Sequence, residues 1–393
     1  MRTIYKDLIL LIKNDSLLIM MIILLFSQLS GLFLYVSLIL PIYVLLYSDS
    51  RFRIDKMALF IAIYSITYAF FSFINGWYMS ARANVIFVSV FPPTFYLIGK
   101  YLGSKYKYDL YLLLFLVIVL LAIKPIVLVF LDISSTGQLI SITRSMEFAD
   151  GSTSSSATNI GIQLSVAVAA FGLLISRTQN AKEKKYKLCL VVVSLLSLMG
   201  VIHLINRTGL VIAAVSFVAV FIININTQAP KEKFIYIITS LVLFILVVRL
   251  MDLSLFGDIF EAYSKREIDG YDTASAGGRA ELWKMGLEDL TRYPLGQTDR
   301  TRVSYAHNYW LDTAATAGLF PVFFLLIVTI KHALSSYALM KVMHKGLLMA
   351  MFAITNIGFF LTCLVEPVME GLQLYVYLLF MFVGITEGYK RAL

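Results

Sequence analysis

Two arginines and one histidine carry the clearest chemical potential in this 393-residue sequence. Arg207 stands in Ile205-Asn206-Arg207-Thr208-Gly209, wedged between two apolar runs with almost no room for a loop. A guanidinium held so close to a bilayer core is costly, which makes it a functional candidate by default. The competing reading is that it snorkels its head to the headgroup layer. Arg279 follows Gly277-Gly278 and opens a segment of helical periodicity. A helix N-terminus offers unpaired N–H groups and partial positive charge, glycines let an anion come close, and arginine adds a two-pronged donor, so the combination suits a phosphate. A pairing of Arg279 with a carboxylate such as Asp269 or Glu281 is the alternative. His307, in Tyr305-Ala306-His307-Asn308-Tyr309-Trp310, falls where a long loop returns to the membrane. Its imidazole can take a proton from a hydroxyl near neutral pH; a structural histidine is the other reading.

Supporting groups lie nearby in sequence. Asp312 follows His307 by five residues inside an apolar run, and Glu366 and Glu370 bracket Pro367 in the last outward turn. Buried carboxylates there could orient His307 or hold an arginine, or serve structure alone. His203, four residues before Arg207, could face the same cavity or be a satisfied core histidine. There is no His-x-Glu cluster, no cysteine pair at ligand spacing, no Asp-x-Asp string on an outer loop and no Walker loop. The reading is therefore of a site without metal or cofactor, whose activation arrives with the substrate. The two cysteines, Cys189 and Cys363, both fall in apolar runs and define neither a disulfide framework nor a redox compartment.

The elements that must position these residues are membrane spans. Hydrophobic residues make up 59% of the chain and charged residues 15%, against about 25% in soluble domains. Apolar runs long enough to cross a bilayer recur from end to end, so the fold class is an all-α polytopic membrane protein, read as one integral domain over 1–393. The formal charge of +9 is dispersed in short basic clusters between runs and does not form a nucleic-acid surface. The uncharged stretch from Leu17 to Tyr47 is split into two short helices at Ser27 to Gly31. Further spans are expected at 57–75, 85–102, 110–131, 159–176, 188–205, 209–226, 234–251, 308–330, 346–365 and 371–387, about twelve in all. With both termini cytoplasmic, inward-facing segments hold 21 of the 33 Lys and Arg, and the short outward ones five. Basic residues collect on the cytoplasmic side, and long translocated loops are exempt from that rule. Two long outward loops follow, 132–157 and 252–305. The second contains Ala280, Trp283, Leu287 and Leu290 at helical spacing before Pro294 and Gly296, read as a short amphipathic helix on the outer membrane surface.

Taken in order, Asn206-Arg207-Thr208-Gly209, Gly277-Gly278-Arg279 with Trp283, Pro294-Leu295-Gly296 and His307-Asn308-Tyr309-Trp310-Leu311-Asp312 followed by Gly318 resemble the O-antigen polymerase and O-antigen ligase family of bacterial surface-polysaccharide assembly. The strings cover residues 200–330; the remainder agrees in span number and orientation. The resemblance implies a GT-C-like membrane fold in the bacterial inner membrane. It also implies a metal-independent, inverting glycosyltransferase whose active site faces the periplasm. Its donor would be an undecaprenyl-diphosphate-linked oligosaccharide, with Arg207 and Arg279 on the diphosphate and His307 on the acceptor hydroxyl. Asn206 stands where the family often has serine. The polymerase, extending a lipid-linked repeat unit and working beside a chain-length regulator, is preferred. A ligase acting on lipid A-core is the alternative, and a flippase for lipid-linked oligosaccharide is the reading from another class.

Overall fold

The computed structural model describes residues 2–27, 33–46, 52–77, 82–105, 110–141, 145–147, 154–225, 279–298, 305–343 and 346–393. The expected span 234–251 and the first half of the long loop, with Gly277, Gly278 and Asp269, lie outside the described residues. In chain order the helices are α1 (Arg2–Ser27), α2 (Phe33–Leu46), α3 (Lys56–Ile74), α4 (Arg82–Lys105), α5 (Leu110–Val119), α6 (Ile123–Thr136), α7 (Ala157–Ala169), α8 (Ala181–His203) and α9 (Arg207–Ile225). They continue as α10 (Arg279–Arg292), α11 (Tyr309–Ala317), α12 (Leu319–Val342), α13 (Leu347–Val365), α14 (Val368–Gly371) and α15 (Gln373–Ala392). The sole sheet among the described residues is an antiparallel pair, Ser145–Glu147 with Ser154–Ser156, inside the segment read as the 132–157 loop. Among the described residues, seven helices are long and apolar enough to cross a membrane, eight if α5 and α6 form one broken span. The chain is thus helical and multi-pass.

The stretch 17–47 forms two short helices as expected, while one expected span differs in kind. α1 breaks at Asp15, whose φ of −142° is not helical, and its apolar part, Asp15–Phe26, is a short helix followed by the 14-residue α2. At 1.5 Å per residue, each reaches only about 20 Å, less than a hydrocarbon core of about 30 Å. The expected span 308–330 is not one helix. Gly318, at φ +83°, separates α11 from α12, and Trp310 Nε1 donates to Thr329 Oγ1 at 3.2 Å. Residues 19 apart meet in this way only if the chain doubles back, so α11 and α12 form a hairpin. Periodicity could not reveal this, because both arms are apolar and one glycine makes the turn.

The chain divides into two compact units, Met1–Lys124 with Arg279–Met343 and Phe359–Leu393, and Pro125–Gly278 with His344–Gly358. In the first, α4 and α15 pack through reciprocal glycines. A Cβ at Gly99 or Gly103 would strike the backbone of Met381 or Ile385, and one at Gly384 or Gly388 the backbone of Tyr96 or Lys100. Lipid tails are as apolar as leucine, so helix association in a bilayer relies on such close backbone approach. At the cytoplasmic end of the sequence reading, Asp55 caps α3 by accepting from Ala58 N–H at 2.9 Å. It also takes Lys100 at 2.7 Å, Arg391 at 2.6 Å and the Tyr96 hydroxyl at 3.0 Å. Burial pushes the Asp55 carboxyl up, but these donors and the two cationic charges outweigh it and hold it below the usual carboxylate range.

The opposite end of α3 fixes the hairpin. Asn75 Nδ2 donates to Leu295 O and Thr316 O, both at 3.0 Å, and Leu319 N–H donates to Pro294 O at 2.8 Å. Further down, the Tyr64 and Tyr309 hydroxyls meet at 2.7 Å. α11 therefore runs parallel to α3, and its N-terminus lies roughly 12–16 Å below the Gly318 turn, counted at 1.5 Å per residue along α11, α12 and α3. α10 stands alongside, with Gly286 against Ala306 and Leu311 and Gly296 against Asn75 and Thr316. Its buried positions are Gly286 and Asp289, while Ala280 and Leu287 of the expected apolar stripe are exposed. The helix expected on the outer membrane surface packs against α11, where Gly286 lets it approach.

Two outcomes test this packing. Gly384→Leu should lower stability by about 3 kcal/mol or more through overpacking against Tyr96, read as a drop in unfolding temperature in detergent. An unchanged transition would contradict the α4–α15 contact. In bilayers carrying brominated lipids, a variant retaining Trp310 alone should be quenched most by bromines deep in the acyl chains, and one retaining Trp77 alone by shallow ones. Equal depth profiles would refute the descending hairpin arm.

Candidate functional site

In the first unit the hairpin brings His307, Asn308, Asp312, Glu366 and Arg279 together. His307 has φ +53°, a left-handed conformation unfavourable for a side chain with a Cβ and held only where surroundings over-determine it. Asp312 supplies the hold: its Oδ1 accepts from Ala306 N–H at 2.7 Å and its Oδ2 from Asn308 N–H at 3.0 Å, the peptide groups flanking His307. Asn308 caps α11, its Oδ1 accepting from Trp310 and Leu311 N–H at 3.1 Å, while its Nδ2 donates to Leu364 O at 3.2 Å. That last bond draws the end of α13 to the histidine loop, and two residues on stands Glu366.

Glu366 is 4% exposed. Its Oε1 accepts from Arg279 Nη2 at 3.2 Å, and its Oε2 lies 3.8 Å from His307 Nδ1. A carboxylate this buried needs a cation, and Arg279, a quarter exposed, provides it. His307 Nδ1 is buried without a hydrogen-bond partner among the described residues, while a third of the side chain is exposed. The accessible edge is then the one bearing Nε2. A carboxylate behind Nδ1 favours the tautomer with its proton there, which leaves the Nε2 lone pair for an incoming hydroxyl; such contacts commonly tighten only when substrate binds. A guanidinium carries five N–H donors, more than the bond from Arg279 to Glu366 uses. Both α10 and α11 begin here, so two helix N-termini add partial positive charge.

Arg207 and His203 belong to the second unit. Arg207 opens α9 and is partly buried. Asn206 caps that helix, its Oδ1 accepting from Gly209 N–H at 3.0 Å and its Nδ2 donating to Ala157 O at 3.3 Å across Gly161, where a Cβ would collide with it. The residue that departs from the family pattern thus ties α7 to α9. His203 is 1% exposed, with both ring nitrogens engaged, Nε2 by Asp132 Oδ2 at 2.7 Å and Nδ1 by Leu139 O at 3.0 Å. It is a satisfied buried histidine. On the last turns of α8, an apolar recess of about 240 Å³ is lined by Leu139, Leu195, Leu198, Met199 and Ile202.

Some site residues differ in what they touch from the sequence reading. Asp312 grips the peptide groups around His307. A counter-charge of Arg279 is Glu366, 87 residues away; Asp269 lies outside the described residues. The Glu370 side chain lies outside the described residues. Asp132, read only as the start of the 132–157 loop, and the Tyr64–Tyr309 pair escaped notice. Among the described residues, no group of three or more His, Cys, Asp and Glu could hold a metal ion.

A double-mutant cycle checks the pairing. Glu366→Ala should destabilise by about 2–3 kcal/mol, below the range for a fully buried pair because Arg279 is partly exposed. Adding Arg279→Ala should cost less than the sum of the singles by about 1 kcal/mol or more. Additive losses in denaturation would exclude the ion pair in solution.

No protein-family profile matches the chain, and neither does any curated protein.

Proposed function

We propose that the protein is an O-antigen, or surface-polysaccharide, polymerase of the bacterial inner membrane. In this reading the chain has twelve spans of GT-C-like arrangement, cytoplasmic termini and a site open to the periplasm. The observation that supports it best is the convergence of an arginine, a buried carboxylate and a one-third-exposed histidine on the N-termini of two short helices. The donor is an undecaprenyl-diphosphate-linked oligosaccharide. Arg279 binds its diphosphate, and Arg207 does so by the family resemblance. The terminal hydroxyl of a second lipid-linked repeat unit passes its proton to His307 Nε2. Its oxygen bonds to the anomeric carbon from the face opposite the diphosphate, and the bond to the diphosphate breaks with its electron pair leaving on phosphate oxygen. Configuration inverts. The guanidiniums neutralise the leaving group in a low-dielectric setting, the usual largest share of such catalysis. The apolar recess beside the Arg207 turn has room for a stretch of prenyl chain. A chain-length regulator is the expected protein partner.

Transfer to lipid A-core by the same machinery is the ligase alternative. A second reading, transport of a lipid-linked oligosaccharide, gains from one observation: α11 is a half-length helix whose N-terminus lies well below the Gly318 turn. Transporters commonly bind anionic substrates at the ends of such interrupted helices near the membrane midplane.

Alanine at Arg279, His307 or Arg207 should cut polymer formation at least roughly hundredfold. The readout is the lipopolysaccharide ladder and the sidedness of lipid-linked repeats in a complemented deletion strain. A core bearing one repeat unit supports the polymerase. A bare core with polymer still on undecaprenyl diphosphate indicates the ligase, and repeats retained on the inner leaflet indicate transport and end the enzymatic reading.

A further inference from the structure

We propose that His203 and Asp132 form a proton-sharing clamp that positions the turn carrying Arg207. The role of Arg207 as diphosphate ligand is taken from the function proposed above; the clamp itself is argued from contacts within the second unit. Leu139 O, 3.0 Å from His203 Nδ1, is a carbonyl and can only accept, so Nδ1 carries a hydrogen. The 2.7 Å contact between Nε2 and Asp132 Oδ2 must then contain a proton of its own, on the ring or on the carboxyl. A neutral imidazole beside an ionised carboxylate has one proton too few for both contacts. The pair as a whole carries no net charge, which suits a histidine 1% exposed. The ionisable groups nearest in sequence on these elements are Arg207, four residues along, and Lys124, two turns before Asp132 on α6; those of α8, from Lys182 to Cys189, lie toward its other end.

Three pieces of chain are joined by this pair: the end of α6 through Asp132, the segment 137–141 through Leu139, and the end of α8 through His203. Ser141 N–H closes the circuit by donating to His203 O at 2.8 Å. Directly after it, Ile205 has φ +52°, a conformation that a β-branched side chain resists. Asn206 N–H donates to Val201 O at 2.9 Å, and Asn206 then caps α9 one residue before Arg207. A strained turn persists where its flanks are pinned, and His203 pins the near flank. His203 and Asp132 are thus positioning residues, acting on Arg207 through the backbone.

Hydrogen exchange on the full chain in nanodiscs tests this. Asp132→Ala should accelerate exchange at Ser141, Asn206 and Gly209 roughly tenfold or more and leave the middle of α9 unchanged, while Asp132→Asn, whose amide can donate to Nε2, should stay near wild type. Wild-type rates in Asp132→Ala, or equal acceleration in Asp132→Asn, overturn the clamp. If Asp132→Ala fails to fold, His203→Gln, which can keep one of the two contacts, carries the test: faster exchange at Ser141 and Asn206 supports the clamp, and unchanged exchange overturns it. Inorganic pyrophosphate binding separates the clamp from the function. Asp132→Ala should weaken it roughly tenfold, with no further loss in an Arg207→Ala background. Unaltered pyrophosphate affinity in Arg207→Ala would sink the diphosphate role and leave the exchange result standing.

Discussion

A helix that begins inside an apolar bundle must find partners for its first N–H groups without water, and α11 begins there. Its cap is the interaction on which the site of the first unit depends. Asn308 accepts from Trp310 and Leu311, and Asp312 reaches back to Ala306 and Asn308. In hydrocarbon an unsatisfied amide costs several kcal/mol, so such a terminus is tolerated only with a complete set of acceptors. The same bonds force His307 into its left-handed conformation and turn its ring toward Glu366. The capping of a helix and the aiming of an imidazole are one event here.

The second unit repeats the device in other residues. The two non-glycine residues with positive φ among the described ones, Ile205 and His307, each immediately precede an asparagine that caps a helix. Each cap side chain also donates to a carbonyl of a different segment, Asn206 to Ala157 and Asn308 to Leu364. A short amide side chain that accepts from its own helix while donating elsewhere fixes where that helix starts. Arg207 and His307 stand one residue to either side of such an asparagine, so their positions inherit its precision.

Charge within the first unit is balanced locally. Arg279, Glu366 and His307 form one group on the hairpin side, while Asp55, Lys100 and Arg391 form another at the far end of α3. Glu366 and Asp55 each have a cation within 3.2 Å, while the buried Asp312 is satisfied by peptide N–H groups. Arg391, from the last turn of α15, joins Asp55 at the first turn of α3, so the C-terminal helix is held by charge at one end and by glycine contacts along its length.

The helical, multi-pass character was legible because it depends on a local quantity, the length of uncharged apolar runs. Arg207, Arg279 and His307 stood out because charge is rare in such runs, and Glu366 because it flanks a proline in a short turn. The Gly99/Gly103 and Gly384/Gly388 pairs were visible as small-x-x-x-small strings but passed over, since either string alone is common. The hairpin at Gly318, the packing of α10 on α11 and the partnerships of Arg279 with Glu366 and His203 with Asp132 could not be read locally. Residue order settles which segments are apolar enough to enter a bilayer and which side chains must seek a partner there. Which partner each one finds depends on how helices distant in sequence pack, because a buried charge or amide is satisfied by whatever group the fold brings within 3 Å or so.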